Sequence, residues 1–278
     1  MQGLMESSNI RRAKRQTEEN IIMKKFLALI LSILMLVGTL AGCGSNTETK
    51  YNTIYEGKLI MSTNAEFPPY EMTTDDGGFA GIDIEIAQAI ADKLGLELVI
   101  DDMDFDVALT AVQNGKSDIV MAGVTVDEDR LKVMDFSTSY ATGVQVVIIK
   151  EGSDVTMDNL GDKMIGTQKG TTGYIYASDS VENGGYGEEH VIAYDSGITA
   201  VQALMNGQID CVIIDNAPAQ EFVKSNPGLT ILDGHWAEED YAIGVDKGNT
   251  VLLDAINKAQ AELIADGTVQ SIIDKYIH

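Results

Sequence analysis

Cysteine is nearly absent from this 278-residue chain, which has only Cys43 and Cys211. Cys211 lies in the apolar run Cys211-Val212-Ile213-Ile214, where a thiol serves as a small core residue rather than a nucleophile. With Cys43 given another role below, no intrachain disulfide is expected. Histidine is scarce too: His190, His235 and His278 stand in polar or terminal settings without ligand spacing. That pattern supports neither a zinc site nor a Ser-His-Asp triad, and no metal or cofactor is expected. Positive charge is in short supply, with 19 Lys and Arg against 43 Asp and Glu and a net charge of −24. Nucleic acid and anionic lipid surfaces are therefore poor partners. Arginine is the rarer cation, since only Arg130 occurs after residue 15. The chain also lacks internal repeats, low-complexity tracts and a long apolar run. Its most apolar stretch, from Phe26 to Leu40, falls short of the ~20 residues a membrane-spanning helix needs.

That short stretch has its own meaning. It follows Met23-Lys24-Lys25 and ends in Leu40-Ala41-Gly42-Cys43, the order of a basic start, an apolar core and small residues of a secretory signal. The last four residues resemble the lipobox of bacterial lipoproteins. The resemblance implies a signal peptide over 23–42, cleavage before Cys43, and lipid (diacylglycerol and palmitate) on that cysteine as a membrane anchor. Residues 1–22 precede the basic pair and have no place in such a signal, so Met23 is the expected start. Residues 43–55 are polar and aperiodic and read as a tether. Removing residues 1–42, with six basic and three acidic residues, leaves 13 Lys or Arg against 40 Asp or Glu over 43–278, a net charge of −27.

The body is organised around Ala122-Gly123-Val124-Thr125-Val126-Asp127-Glu128-Asp129-Arg130. An apolar run gives way to a glycine, a hydroxyl residue and three acids, which predicts a strand, a tight loop and a helix start. Backbone N–H groups, Thr125 and the Arg130 guanidinium can converge there on a small anion, a carboxylate fitting the planar fork. The alternative is an arginine paired with Asp127 or Glu128 on a solvated helix. Upstream, a strand at 58–61 leads into Thr63-Asn64-Ala65-Glu66-Phe67-Pro68-Pro69-Tyr70-Glu71, where two prolines exclude helix and central strand. This is either a ligand-facing loop or a rigid surface turn. Asp75-Asp76-Gly77-Gly78 predicts a hairpin turn, and residues 81–94 carry an apolar helical stripe stopped by Gly95. A strand is expected at 96–100, Phe105 in a loop, and a helix at 107–114.

Residues 144–149 predict an apolar strand opening a second unit. Met164-Ile165-Gly166-Thr167-Gln168-Lys169-Gly170-Thr171-Thr172-Gly173-Tyr174 again runs a strand into a glycine and hydroxyl loop before a helix, without the Gly-Lys-Ser/Thr ending of a phosphate loop. After a helix at 198–206, the strand at 211–214 ends in Asp215-Asn216-Ala217-Pro218. That puts a carboxylate where open α/β sheets bind ligands, or an aspartate at a helix N-cap. A strand from Tyr241 and helices at 250–265 and 269–277 close the chain.

Together the Asn64–Tyr70 loop, Met103-Asp104-Phe105, Ala122 to Arg130, Asp135-Phe136-Ser137, Gly170-Thr171-Thr172-Gly173 and Asp215-Asn216-Ala217-Pro218 resemble, in order, the family 3 solute-binding proteins of polar amino acid ABC transporters. The resemblance runs from about 58 to 276. It implies an α/β, two-lobed periplasmic-binding-protein-like fold of type II, with a ligand in the interlobe cleft and two crossing strands as hinge. Lobe 1 would combine 56–139 with 244–278, lobe 2 would span 145–239, and the hinge would lie at 140–144 and 240–243. It further implies that Arg130 and Thr125 take the ligand α-carboxylate with backbone help near Ala122 and Gly123. The Thr171-Thr172 pair would close from lobe 2, and Asp215 would take the α-ammonium. Phe67 and Phe105 would flank the side chain, with Asn64, Gln168 and Glu66 near its far end. Glutamine and cationic amino acid binders of this family often have aspartate where Asn64 stands, and here that position is neutral. The implied role is extracytoplasmic binding of a neutral polar or cationic amino acid by a lipid-anchored monomer that serves an ABC permease. An enzymatic relative, a cyclohexadienyl dehydratase, is the alternative; it needs a general acid in the cleft, for which Glu66 is the candidate. A receptor's sensing head is not expected, because no membrane helix follows the domain.

Overall fold

A computed structural model describes residues 50–277, so the signal, lipobox and start-site readings on residues 1–43 lie outside the described residues. Two open sheets organise the chain. The first has the order β5-β1-β6-β14-β7: β1 (Lys58–Thr63) runs parallel to β5 (Glu97–Asp102) and β6 (Ile119–Val120), and β14 (Gly244–Asp246) is antiparallel to β6 and to β7 (Met134–Phe136). The second is built on the ten-residue β8 (Ala141–Lys150). Antiparallel β11 (Cys211–Asp215) and β12 (Leu229–Ile231) pair with its C-terminal half, β13 (Ala237–Tyr241) pairs with its N-terminal half, and β9 (Ile165–Gln168) and β10 (Val191–Tyr194) extend the sheet beyond β11. A small hairpin sheet, β2 (Glu66–Phe67), β3 (Glu71–Thr73) and β4 (Phe79–Ala80), carries the expected turn at 75–78.

The apolar pattern explains the layers. On β8, Val146 and Ile148 join Val212 and Ile214 of β11 in one cluster, under α5 (Gly197–Met205) and α6 (Asn216–Ser225). Their alternates Val147, Ile149, Cys211 and Ile213 form another, under α4 (Thr172–Ser178). Because side chains alternate across a strand and both faces are covered, these strands read as unbroken apolar runs rather than alternating ones. Cys211 is wholly buried in this layer, and burial pushes its thiol up to about 12. In the first sheet, α1 (Ile82–Leu94) buries Ile82, Ile86, Ala87, Ile90 and Ala91 against β1. It ends at Gly95, whose left-handed φ of 71° a glycine adopts without a Cβ penalty. Helices α7 (Thr250–Ala265) and α8 (Thr268–Tyr276) share that cluster, and α2 (Phe105–Gln113) covers the other face with Val120 and Met134.

Two corrections concern elements near the cleft. Phe105 is not in a loop; it is the first residue of α2 and is buried. The helix ending in the 122–130 motif is only the four-residue α3 (Arg130–Val133), which begins at the arginine. Between the two sheets the chain passes twice, through 137–140 and 242–243, and the two passages bond to one another. Tyr140 N–H donates to Tyr241 O at 3.0 Å, Ser137 N–H to Ile243 O at 2.9 Å, and Ile243 N–H to Ser137 Oγ at 3.0 Å. Among the described residues no helix is long and apolar enough to cross a membrane.

Candidate ligand-binding cleft

A cavity whose empty space, open mouth included, is about 460 Å³ lies where the strand ends of both sheets meet. Arg130 enters it from the base of α3 with its side chain 8% exposed. Asp127 holds it locally: Oδ1 accepts the Arg130 backbone N–H at 2.8 Å, and Oδ2 lies 3.2 Å from Nε. The Asp127 pairing weighed from sequence thus exists, but on a buried guanidinium rather than a solvated helix face. Nη1 donates to Thr125 O at 2.8 Å, and Nη2 donates to Gly170 O at 3.0 Å from the second sheet's side. The guanidinium carbon sits 5.6 Å from the Phe105 ring centroid. Burial lowers the Arg130 pKa, and Asp127 and Glu239 oppose that shift. Each terminal nitrogen commits one of its two N–H donors, leaving one free on each, while Nε stands beside Asp127 Oδ2 in ion-pair contact.

The loop before the arginine is fixed from below. Gly123 has φ 56°, and a Cβ there would lie 2.9 Å from the Phe67 ring. Its N–H donates to Asp83 Oδ2 at 2.9 Å, and the Tyr140 hydroxyl donates to the same oxygen at 2.8 Å. The Gly123 N–H is therefore taken, whereas that of Thr125 has no protein acceptor among the described residues. The Thr125 hydroxyl donates to Glu239 Oε2 at 3.0 Å. Ala122, Gly123 and Thr125 all line the cavity. Beside Asp83 lies Glu71, wholly buried and also lining it. Burial first, and the Asp83 charge second, raise the Glu71 carboxyl well above the usual range, and burial pushes Asp83 up to about 6.

Asp215 stands at the N-cap position of α6, yet its side chain makes no capping bond. Instead Oδ1 accepts the Tyr241 hydroxyl and Oδ2 accepts Gln145 Nε2 at 2.9 Å. With Asp215 buried among these groups, desolvation raises its carboxyl to about 7, and Glu239 adds to the rise. Gly143 makes the arrangement possible: it faces Glu239 across β8 and β13, and a Cβ there would overlap the Tyr241 hydroxyl and the Asp215 carboxylate.

At the other end, Gln168 Nε2 donates to Asn64 Oδ1 at 2.8 Å and to Asp195 O at 3.2 Å. Gln168 Oε1 and Asn64 Nδ2 are left without protein partners among the described residues. Thr171 caps α4, accepting the Tyr174 N–H at 3.2 Å and donating to Gln168 O at 2.7 Å, and Thr172 begins that helix. Phe67, Phe105, Asn64, Gln168, Thr171 and Thr172 line the same cavity. Glu66 does not: it is exposed on β2 and outside the lining. Lys169 is also outside, 3.3 Å from Asp195 and 3.6 Å from Asp106.

Sequence reasoning missed Glu71, Gln145, Ile213 and Ile214 in the lining and Glu239 behind it. Alternation on β13, where Glu239 and Tyr241 are buried between exposed Glu238 and Asp240, was the available signal for the last.

The curated relatives include the L-cystine-binding protein TcyJ of Escherichia coli K12, 31% identical over 251 residues that cover 87% of this chain and 92% of that protein. Another is the arginine-binding extracellular protein ArtP of Bacillus subtilis, 31% identical over 259 residues, 91% of this chain and 98% of that one. Among solved structures, an ancestral arginine-binding protein bound to arginine superposes with TM-score 0.75 at 38% identity, over 80% of this chain and 99% of its own. A mutant of ArgBP from T. maritima gives 0.73 at 35%, over 79% and 95%. Residues 59–278 match the bacterial extracellular solute-binding proteins, family 3, and with two open α/β sheets meeting at one cavity the chain belongs to that family.

Proposed function

We propose that the protein binds a free amino acid outside the cytoplasm and delivers it to an ABC importer, holding the α-carboxylate on Arg130 and the α-ammonium on Asp215. One observation carries the reading. A guanidinium with one spare N–H on each terminal nitrogen and a buried carboxylate without a cationic partner face the same cavity. The spare N–H pair suits a carboxylate fork, and the unpartnered Thr125 N–H adds a third donor. The Thr125 hydroxyl donates its hydrogen bond to Glu239, so toward the ligand it is an acceptor and serves the ammonium rather than the carboxylate. Phe67 and Phe105 flank the side chain, whose far end meets Asn64 Nδ2 as donor and Gln168 Oε1 as acceptor. The two lobes close over the ligand about the passages at 137–140 and 242–243, since 141–144 and 240–241 of the expected hinge at 140–144 and 240–243 are paired strand residues of β8 and β13. The role is binding without a chemical step on the ligand; Glu66, the acid considered for a dehydratase, lies outside the cavity.

The names of the relatives, cystine- and arginine-binding, support an amino acid as ligand. An acidic one fits poorly: Arg130 is already used, and a second carboxylate buried near Gln168 Oε1 and Glu71 costs several kcal/mol. A neutral polar or cationic ligand is therefore the expected class. Outside the described residues, the reading keeps signal cleavage before Cys43 and lipid anchoring there. A thermal-shift screen against the twenty standard amino acids plus cystine and ornithine tests the function. Stabilisation by neutral polar or cationic members, at least tenfold tighter than aspartate or glutamate, is expected. No stabilisation by any, or tightest binding of an acidic one, refutes the reading.

A further inference from the structure

At the ammonium end of the cleft Asp215 lines the cavity, and a second buried carboxylate, Glu239, stands behind it. Asp215 on β11 and Glu239 on β13 flank β8 and meet on a single amide, Gln145 Nε2, which donates to Asp215 Oδ2 at 2.9 Å and to Glu239 Oε2 at 3.1 Å. Asp215 is 8% exposed and Glu239 5%. Their other donors are neutral hydroxyls, from Tyr241 to Asp215 and from Thr125 to Glu239. Glu239 Oε1 is buried with no partner at all. Among the described residues no lysine, arginine or histidine forms an ion pair with either group. The facing groups from the surrounding elements are Tyr70 and Glu71 from the hairpin side, Thr125 and Arg130 from the loop and α3, and Gln145 from β8. Arg130, the one cation in this set, is spent on Asp127 and two carbonyls.

Two like charges in a desolvated site repel unless a cation or a proton lies between them. Building on the amino-acid reading above, we propose that Asp215, backed by Glu239 on the shared Gln145 amide, receives the ligand ammonium, and that the carboxyl pair carries a proton which the incoming ammonium displaces. The exchange balances: one O–H bond on the carboxyl pair breaks, the proton leaves to the buffer, and ammonium N–H···O bonds replace it. The ligand brings the compensating charge that the protein does not supply. Gln145 holds both oxygens on one nitrogen, and Glu239, which the sequence shows only as part of an acidic stretch, becomes a positioning residue that acts on the ammonium site through Gln145 and Asp215.

The pH dependence follows with a definite sign. Asp215, at about 7 without a cation beside it, is lowered once the ammonium is bound, because the charged form is then favoured. Affinity is highest above pH 7 and falls as pH drops. For a complete shift, the dissociation constant at pH 6 is about tenfold larger than at pH 8.

Calorimetry on the mature protein at pH 7, in phosphate, imidazole and Tris, tests this with L-arginine and L-glutamine as parallel probes. The slope of binding heat against buffer protonation enthalpy counts protons, and release of about half a proton is expected at pH 7, approaching one at pH 6. In Glu239→Gln the like-charge repulsion is gone while the burial of Asp215 remains, so proton release at pH 7 falls below the wild-type value and the difference between pH 6 and pH 8 narrows. A merely structural Glu239 would weaken binding equally at both pH values. Binding with buffer-independent heats in the wild type, which needs no variant to fold, overturns the inference while leaving the amino-acid reading standing; so does an unchanged slope in Glu239→Gln. Absence of binding by either probe and by the remaining standard amino acids refutes both.

Discussion

Replacing Arg130 by lysine keeps the charge and removes the fork. The guanidinium donates hydrogen bonds to Thr125 O at 2.8 Å and Gly170 O at 3.0 Å and stands in ion-pair contact with Asp127 Oδ2 at 3.2 Å. A lysine ammonium has three donors in all. If it satisfies those partners, nothing is left for a ligand; if it turns to the ligand, buried carbonyls and a carboxylate lose their donors. In the first case two charge-assisted hydrogen bonds to the proposed α-carboxylate are lost, and in the second two to buried carbonyls, about 1.5 to 3 kcal/mol each. That is a fall in affinity of about 10² to 10⁴. Because the charge beside Asp127 is retained, the fold is expected to survive, and circular dichroism alongside calorimetry separates the two effects. A folded Arg130→Lys protein within threefold of wild-type affinity would remove Arg130 from the carboxylate site.

Asp215→Asn is expected to weaken binding about tenfold to a hundredfold, less than the change at Arg130 because the Glu239 charge remains behind the site; calorimetry measures it, and near-normal affinity defeats the assignment. Gly143→Ala drives a Cβ into Tyr241 and Asp215, so a thermal melt is expected to show a loss of about 1 to 3 kcal/mol, together with weaker binding; an unchanged melt refutes the packing argument. Glu66→Gln changes an exposed carboxylate outside the cavity and should leave every affinity in the amino acid screen within twofold. Selective loss of a cationic ligand would bring Glu66 back into the site. Mass spectrometry of natively expressed protein should find a lipidated Cys43 at the N-terminus; a peptide from residues 1–22 or an unmodified Cys43 contradicts that.

The helical stripe of α1 and the apolar runs of β8 and β11 were legible because burial on one or two faces writes itself directly into hydropathy. Arg130 stood out for rarity and Asp215 for its place at a strand end. Polar residues inside apolar or acidic surroundings were not legible. Gln145 sits in a strand that otherwise reads as core, and Glu71 looks like a hairpin residue. Glu239, between Glu238 and Asp240, looks like one charge of a solvated run. What distinguishes them is which tertiary neighbours they meet: Asp83 for Glu71, and Gln145 with Thr125 for Glu239. Phe105 was placed in a loop because the helical pattern is clearest from 107 onward, and only its burial against Val120 and Met134 reveals that α2 begins there.

The first sheet is threaded in an order that matters for how the molecule comes into being. Its interior strand β14 lies between β6 and β7 but is drawn from residues 244–246, and helices α7 and α8, which seal one face, follow it. A ribosome therefore releases β1, β5, β6 and β7 long before the strand that joins β6 to β7 exists. By contrast, the second sheet is complete once Tyr241 has emerged. Part of the first sheet's hydrophobic face stays uncovered until nearly the last residue is made, so a chain cut short before residue 244 loses an interior strand, and one cut before 250 loses two covering helices, rather than a dispensable tail.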